Sequence, residues 1–309
     1  MRGELLRRAG DRPVAAALAG ALGIAFSGIL YRYSDVSPET GAFFRCLYAV
    51  PPLWLLARLE AGSLGPRPRR ERSYAWLAGV FLAADLLFWH HSIEAVGAGL
   101  ATVLANTQVV LVGLVAWAIL HERPAGSALA AIPLAGAGVV LISGVLETGA
   151  YGDDPLLGAV LGLLAGAAYT GFLLSLRHGS RDLRRVAGPL YDATLATAVV
   201  LLPVGLLQGD LDLAPPASGH AWLLLLALTN QAGAWLLITL SLPRLPAVLT
   251  SILLTLQPVG SVFFAALLLD ERPSLLQLAG TAAILAGLVV ASAGRRGAES
   301  RAQAAEVAA

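Results

Sequence analysis

Four polar side chains interrupt otherwise apolar stretches of this chain: Asp85, Gln108, Gln231 and Gln257. A carboxyl in such surroundings can carry a proton, balance a cationic group, or donate a hydrogen bond when neutral. A primary amide offers donors and acceptors to a polar guest. Trp89 follows Asp85 by four residues and Trp235 follows Gln231 by four, so on helices each ring shares a face with its polar partner. Such rings stack on flat or cationic groups. Ser27, Tyr169 and Thr170 add hydroxyls about two-thirds of the way along their apolar runs, and Thr250, Gln257 and Ser261 form one helical stripe. Asn106 lies about 200° around a helix from Gln108, so the two cannot both point into one cavity. Gln108 is favoured because its counterpart in the second half of the chain is also a glutamine. His90 and His91 are neighbours, so only one can face inward. No ligand set accompanies them, and neither a metal nor a cofactor is expected.

Each of these residues also has a plainer explanation. Asp85 can serve as a neutral hydrogen-bond donor between helices, and Trp89 and Trp235 can belong to an interfacial aromatic belt. Glu122 and Glu271 sit beside Arg and Pro at helix ends, which favours a structural turn. Arg45 and Asp192 occupy related levels of two different runs. Both a long-range ion pair and snorkelling to the interface are open for them.

The elements that hold these residues follow from composition. Hydrophobic residues make up 57% of the 309-residue chain and charged residues 13%, with a mean hydropathy of +0.73. Soluble domains carry about 25% charged residues, so a water-facing surface cannot be assembled here. Disorder is excluded by the same apolar content, and a net charge of +1 argues against nucleic acid as a partner. Cys46 is the only cysteine, which excludes an internal disulfide. The chain is therefore expected to be an integral membrane protein whose partners are the lipid bilayer and a small molecule, with a homodimer possible.

A hydrocarbon core of about 30 Å needs roughly 20 apolar residues per helix. Ten such runs are present: 14–31, 40–58, 74–95, 98–120, 125–145, 155–176, 187–208, 219–241, 246–269 and 274–294. Asp85 lies 11 residues into the third run, or about 16 Å deep, near the midplane. Gln108, Gln231 and Gln257 fall at similar depth. All 21 basic residues are Arg, and basic residues accumulate in cytoplasmic loops. With a cytoplasmic N-terminus the inner segments hold nearly all of them, including Arg58, Arg67, Arg69, Arg70 and Arg72. The outer loops keep only Arg32 and Arg272. Arg7 and Arg8 before an Ala-rich run also resemble the start of a signal peptide. The repeat described next instead requires the first run to stay.

His121-Glu122-Arg123-Pro124 recurs as Asp270-Glu271-Arg272-Pro273, an offset of 149 at which Gln108 also meets Gln257. At an offset of 146, Asp85 meets Gln231 and Trp89 meets Trp235. At 143, Phe26-Ser27-Gly28 meets Tyr169-Thr170-Gly171. Each half thus contains five runs, and an odd number turns the second copy upside down. The expected architecture is all-α: ten transmembrane helices as two inverted five-helix repeats, 14–145 and 155–294, with both termini cytoplasmic and a disordered tail over 295–309. Inverted repeats are a device for opening a midplane site to each side in turn.

With a Glu-Arg-Pro after the fourth helix of each half, the chain resembles the drug/metabolite transporter superfamily in its EamA-type branch. Phe88 to Ile93, Val103 to Gln108 and His121 to Pro124 carry the likeness in the first half. Leu256-Gln257-Pro258-Val259 and Asp270 to Pro273 carry it in the second. Val109 departs from the pattern, standing where the second half keeps Pro258. The resemblance implies a basket of helices with a central cavity, and export of small metabolites, often amino acids.

The expected function is thus secondary transport of small metabolites such as amino acids, by alternating access across the cytoplasmic membrane of a prokaryote. No nucleotide-binding signature is present, since the chain has no lysine. Two rivals remain: a sugar-phosphate or nucleotide-sugar carrier of the same superfamily, which would want basic cavity residues, and a membrane-embedded enzyme, for which no motif is present. The topology is directly testable. Accessibility tags at Arg70, Arg181 and the C-terminus should report cytoplasm, and one after Asp154 the opposite side. An external signal from the 59–72 loop would overturn the helix count.

Overall fold

The computed structural model describes residues 13–120, 126–180, 182, 184–241, 245 and 247–308. The His121 to Pro124 motif, and Arg181 and Arg244 of the inner segments, lie outside the described residues. Every regular element among them is helical: α1 (Pro13–Ala25), α2 (Ser27–Ser34), α3 (Pro38–Leu64), α4 (Arg69–Val96), α5 (Ala98–Ala105), α6 (Gln108–Leu120), α7 (Gly126–Ile142), α8 (Pro155–Gly179), α9 (Ala187–Gln208), α10 (Ala217–Leu226), a π-helical stretch (Ala227–Ala234), α11 (Trp235–Ser241), α12 (Ala247–Leu268) and α13 (Leu275–Ala308). Among the described residues, six helical segments are long and apolar enough to cross a membrane: Pro13–Ser34, Pro38–Leu64, Arg69–Val96, Pro155–Gly179, Ala187–Gln208 and Ala217–Ser241. Shorter apolar helices cover Ala98–Val112, Leu129–Ile142, Thr255–Leu268 and Leu275–Ala291. Large apolar side chains such as Leu59, Phe263 and Leu267 stand exposed, as a lipid-facing surface requires.

Local chemistry explains several boundaries. Ser37 caps α3 by accepting from the Thr40 amide, with Pro38 at the first helical position. The fourth apolar run breaks between α5 and α6 although Val109 replaces the proline of the other half. The break comes instead from side chains returning to the backbone: Asn106 Nδ2 donates to the Thr102 carbonyl at 2.8 Å and Thr107 Oγ1 to that of Leu104 at 2.7 Å. Such local bonds compete with the helical ladder. In contrast α12 runs unbroken through Pro258. Where a disordered tail is expected over 295–309, the backbone of α13 continues in helical form to Ala308. Its Ala, Glu, Gln and Arg content favours helix.

The helices gather into two compact units, each drawn from both halves of the chain. Residues 1–91 and 171–245 form one, residues 92–170 and 246–309 the other. In the first, α3 packs along α9, α1 along α11, and α2 along α10. Its core includes Ala49, Leu53, Leu190 and Ala227, with Trp235 packed against it. In the second, α7 packs along α13 and α5 along α12, around Val110, Ala131, Ala135 and Ala291. Glu271 anchors this unit: its carboxylate accepts from the amides of Ala98 at 2.6 Å and Gly99 at 3.1 Å, capping α5 at its positive end. Gly97, at φ +88, brings the chain close to that carboxylate. The structural role expected of Glu271 is therefore visible in its contacts.

A very close approach in the second unit joins Gly138 on α7 to Gly280 on α13. A Cβ on Gly138 would lie 2.5 Å from the Gly280 carbonyl oxygen, and one on Gly280 would lie 2.6 Å from that of Gly138. Gly138→Val should force these helices apart and cost about 1–3 kcal/mol of stability, the usual penalty of overpacking. Nothing lies within 4 Å of a Cβ placed on Gly136, so Gly136→Val is the matched control. Thermal unfolding in detergent should separate the two. Equal unfolding temperatures would refute the close-packing account.

Candidate functional site

Of the residues singled out in the sequence, Ser27, Asp85, Trp89, His90, Gln231 and Trp235 lie in the first unit. Asn106, Gln108, Tyr169, Thr170 and Gln257 lie in the second. The first set contains a tight polar cluster, and its centre is Arg45. This guanidinium is only 3% exposed on α3. Its Nη2 donates to Asn230 Oδ1 at 2.7 Å and to Gln231 Oε1 at 3.3 Å. Its Nε and Nη1 find no partner among the described residues. Trp89 places its ring 5.8 Å from the guanidinium carbon, and Asp85, 8% exposed, lies one turn before Trp89 on α4.

Neither expectation for Arg45 holds. It does not snorkel, and it does not pair with Asp192, whose Oδ2 is held by Arg67 at 2.6 Å and by Arg72 at 3.4 Å. The π-helical stretch explains how Arg45 finds two amides. Neighbouring residues of an α-helix point about 100° apart, whereas the wider turn over Ala227–Ala234 lets both Asn230 and Gln231 reach one guanidinium. Single π-turns recur at functional sites for this reason. Gln231 is also joined to α9, its Nε2 donating to Thr194 Oγ1 at 3.3 Å. Asn230 Nδ2 donates to the Gly23 carbonyl at 3.2 Å, next to the kink that separates α1 from α2.

His90 is fully buried, stacked on Tyr31 with centroids 4.0 Å apart and planes within 3°. Its Nδ1 is 3.1 Å from the Pro38 carbonyl, and its Nε2 has no partner among the described residues. His91 instead reaches Glu39 Oε1 at 2.8 Å. The two histidines thus divide their tasks as neighbours on a helix must. Trp235 meets Phe172 edge to face at 5.4 Å and rests on the apolar core. Ser27, 4% exposed, opens α2.

In the second unit Asn106 and Gln108 flank the α5–α6 break, both half-buried. Asn106 is turned onto its own helix, as described above. Thr170 Oγ1 donates to the Gly166 carbonyl at 2.8 Å, and Gly166 packs against the break itself. Tyr169 is half-buried and Gln257 is 9% exposed on α12. Ser261, one turn beyond Gln257, donates to Thr102 Oγ1 at 3.1 Å. Thr250, on the same stripe, has a side chain outside the described residues.

Arg45 and Asn230 carry the cluster and were not among the residues singled out for the site. A lone Arg deep in an apolar run was the available signal for the first. For Asn230 there was none, because α-helical periodicity turns it away from Gln231.

The profile of the EamA-like transporter family matches residues 12–144 and again residues 156–293. The chain belongs to the EamA-like transporter family. A solved structure, titled only "Crystal structure of protein", is similar with a TM-score of 0.62 at 17% identity, covering 93% of this chain and 98% of the other. That likeness concerns the fold alone. No curated protein matches the sequence. The EamA-like assignment makes this a multi-pass membrane protein of a transporter family.

The two tryptophans should respond differently to truncation. Trp89→Ala removes a ring beside Arg45, and a lost cation–π contact of about 0.5–2 kcal/mol should weaken substrate affinity several-fold in flux assays. Trp235→Ala removes a packed core ring and should mainly lower thermal stability in detergent. Normal flux in the Trp89 variant would make that ring a packing element only.

Proposed function

We propose that this EamA-like protein is a secondary transporter that exports small zwitterionic metabolites of the amino-acid class across the cytoplasmic membrane of a prokaryote. Ten spans in two inverted five-helix repeats, residues 14–145 and 155–294 with cytoplasmic termini, would supply the alternating access. The observation that carries the substrate class is Arg45. Two of its guanidinium nitrogens lack partners among the described residues in a buried setting, where an unmet N–H is costly, and Asp85 is buried in the same unit. A substrate carboxylate would complete the guanidinium, and a substrate ammonium would face Asp85. The amides of Asn230 and Gln231 hold the guanidinium from the other side and keep it aimed. A dianionic phosphate suits this cluster less well, because Asp85 would repel it.

Uptake by proteoliposomes loaded with an amino-acid mixture tests the reading, with compounds lacking the carboxylate or the amine as comparisons. Charge-assisted hydrogen bonds contribute about 1.5–3 kcal/mol. Arg45→Gln should therefore weaken carboxylate-bearing substrates by roughly ten- to a hundredfold while remaining monodisperse in detergent. Unchanged carboxylate flux in a folded Arg45→Gln protein would overturn this assignment.

Asp85→Asn keeps shape and hydrogen bonding but removes charge and titration. If Asp85 balances the amine, amine-bearing substrates should weaken at every pH while their deaminated analogues are spared. If Asp85 carries a coupling proton, the response to a pH gradient should vanish while substrate exchange persists. Parent-like transport at all pH values would make the carboxyl structural.

A further inference from the structure

Away from the Arg45 cluster, the first unit contains a cavity of about 270 Å³ between the C-terminal turns of α3, the loop before α4 and the start of α9. Its polar lining is dominated by arginine: Arg58, Arg67, Arg72 and Arg185 against the carboxylates of Glu60 and Asp192. Both carboxylates are engaged, and Arg185 pairs through its Nε with Asp182 at 3.5 Å. Glu60 accepts from the amides of Val186, Ala187 and Gly188 at 2.7–2.8 Å, capping α9. Asp192 already serves Arg67 and Arg72.

Arg67 is the built part of the cavity. Its side chain is 7% exposed, with Nη1 on Asp192 and Nη2 on the Gly179 carbonyl at 2.6 Å. Its Nε is buried without a partner among the described residues. The chain geometry makes room for it, since a Cβ on Gly188 would stand 2.9 Å from Arg67 Cδ. Burial pulls the guanidinium below its usual pKa, with Asp192 opposing, so an anion close by would stabilise the charged form. Arg58 is exposed and lies over the face of Trp54, 5.2 Å from the ring centroid. Arg72 keeps 55% of its side chain exposed.

The rim indicates where the anion comes from. Trp54 lines the cavity, and on the same helix Leu55 and Leu59 are exposed at 38% and 55%. An arginine-lined recess beside a helix that also carries exposed apolar side chains fits a molecule that is anionic at one end and apolar at the other. Guanidinium groups suit phosphate oxygens in particular. We propose that this cavity is a phosphate-binding site occupied by the headgroup of an anionic phospholipid, soluble phosphate being the other source of the same chemistry.

Thermal unfolding of the purified full chain tests this, with phosphatidylglycerol, phosphatidylcholine or inorganic phosphate added to detergent micelles. A ligand that binds only the folded protein raises its unfolding temperature. Phosphatidylglycerol should raise it by several degrees over phosphatidylcholine. The paired substitution Arg58→Gln with Arg72→Gln should abolish that rise, leaving Arg67 on Asp192. Arg69→Gln with Arg70→Gln, which removes the same charge outside the cavity, should leave the rise intact. Stabilisation by inorganic phosphate without phosphatidylglycerol would keep the phosphate site but assign it a soluble occupant. No rise with either ligand, or an equal loss in both pairs of variants, would overturn the proposal.

Discussion

A helix in hydrocarbon has no water to complete its hydrogen bonds, so every polar group that enters must find its partner within the protein. Much of the structure answers that requirement. Thr102, Thr170, Thr197 and Thr239 return their hydroxyls to carbonyls one turn earlier. Glu271 and Glu60 spend their carboxylates on helix N-termini, at Ala98-Gly99 and Val186-Gly188 respectively. The positive end of a helix and a buried carboxylate each relieve the other's desolvation. Against that background, Arg45 Nε and Nη1 and Arg67 Nε are buried without a partner among the described residues, along with Glu39 Oε2, His90 Nε2 and Thr281 Oγ1.

Arg45 shows how a charge can be retained at depth. Two amides from one π-helical turn and a tryptophan face surround it without an ion pair among the described residues. Amide oxygens orient a guanidinium while leaving its charge uncancelled. The π-turn is accordingly part of the site's chemistry, because it sets the spacing of the two oxygens. Gln231 and Asn230 are in turn fixed by Thr194 and by the Gly23 carbonyl, so four helical elements of the unit hold one side chain. Such support from outside the cluster is what keeps a binding group oriented.

Small residues make these approaches possible. Gly138 and Gly280 let α7 and α13 meet at backbone distance, and Gly79 does the same for α4 against Ala193 and Ala196 of α9. In lipid such close packing replaces the hydrophobic drive that assembles soluble proteins. The Thr197 hydroxyl exploits it by donating across the helix pair to the Gly79 carbonyl at 3.0 Å.

Composition alone identified the bilayer as this protein's solvent, because 13% charge cannot cover a water-facing surface. Run lengths and punctuation pointed to the apolar helices, six of which are of membrane-spanning length among the described residues. The recurrence of Glu-Arg-Pro, and of Gln108 as Gln257, pointed to the family that the profile match then bore out. These features are local or periodic, and so can be read along a chain. The environment of Arg45 is neither. Arg45 and Asn230 lie 185 residues apart and meet only when α3 packs beside a turn wider than the α-helical period. Asp192 likewise has its partners in Arg67 and Arg72, more than a hundred residues earlier. The break after Ala105 arose without a proline, from two side chains whose choice between backbone and neighbours depends on packing. Helix positions follow from the cost of exposing apolar and peptide groups to the wrong solvent, residue by residue. Which buried charge remains uncompensated depends on what every other element has already satisfied, and that is settled only in the folded chain.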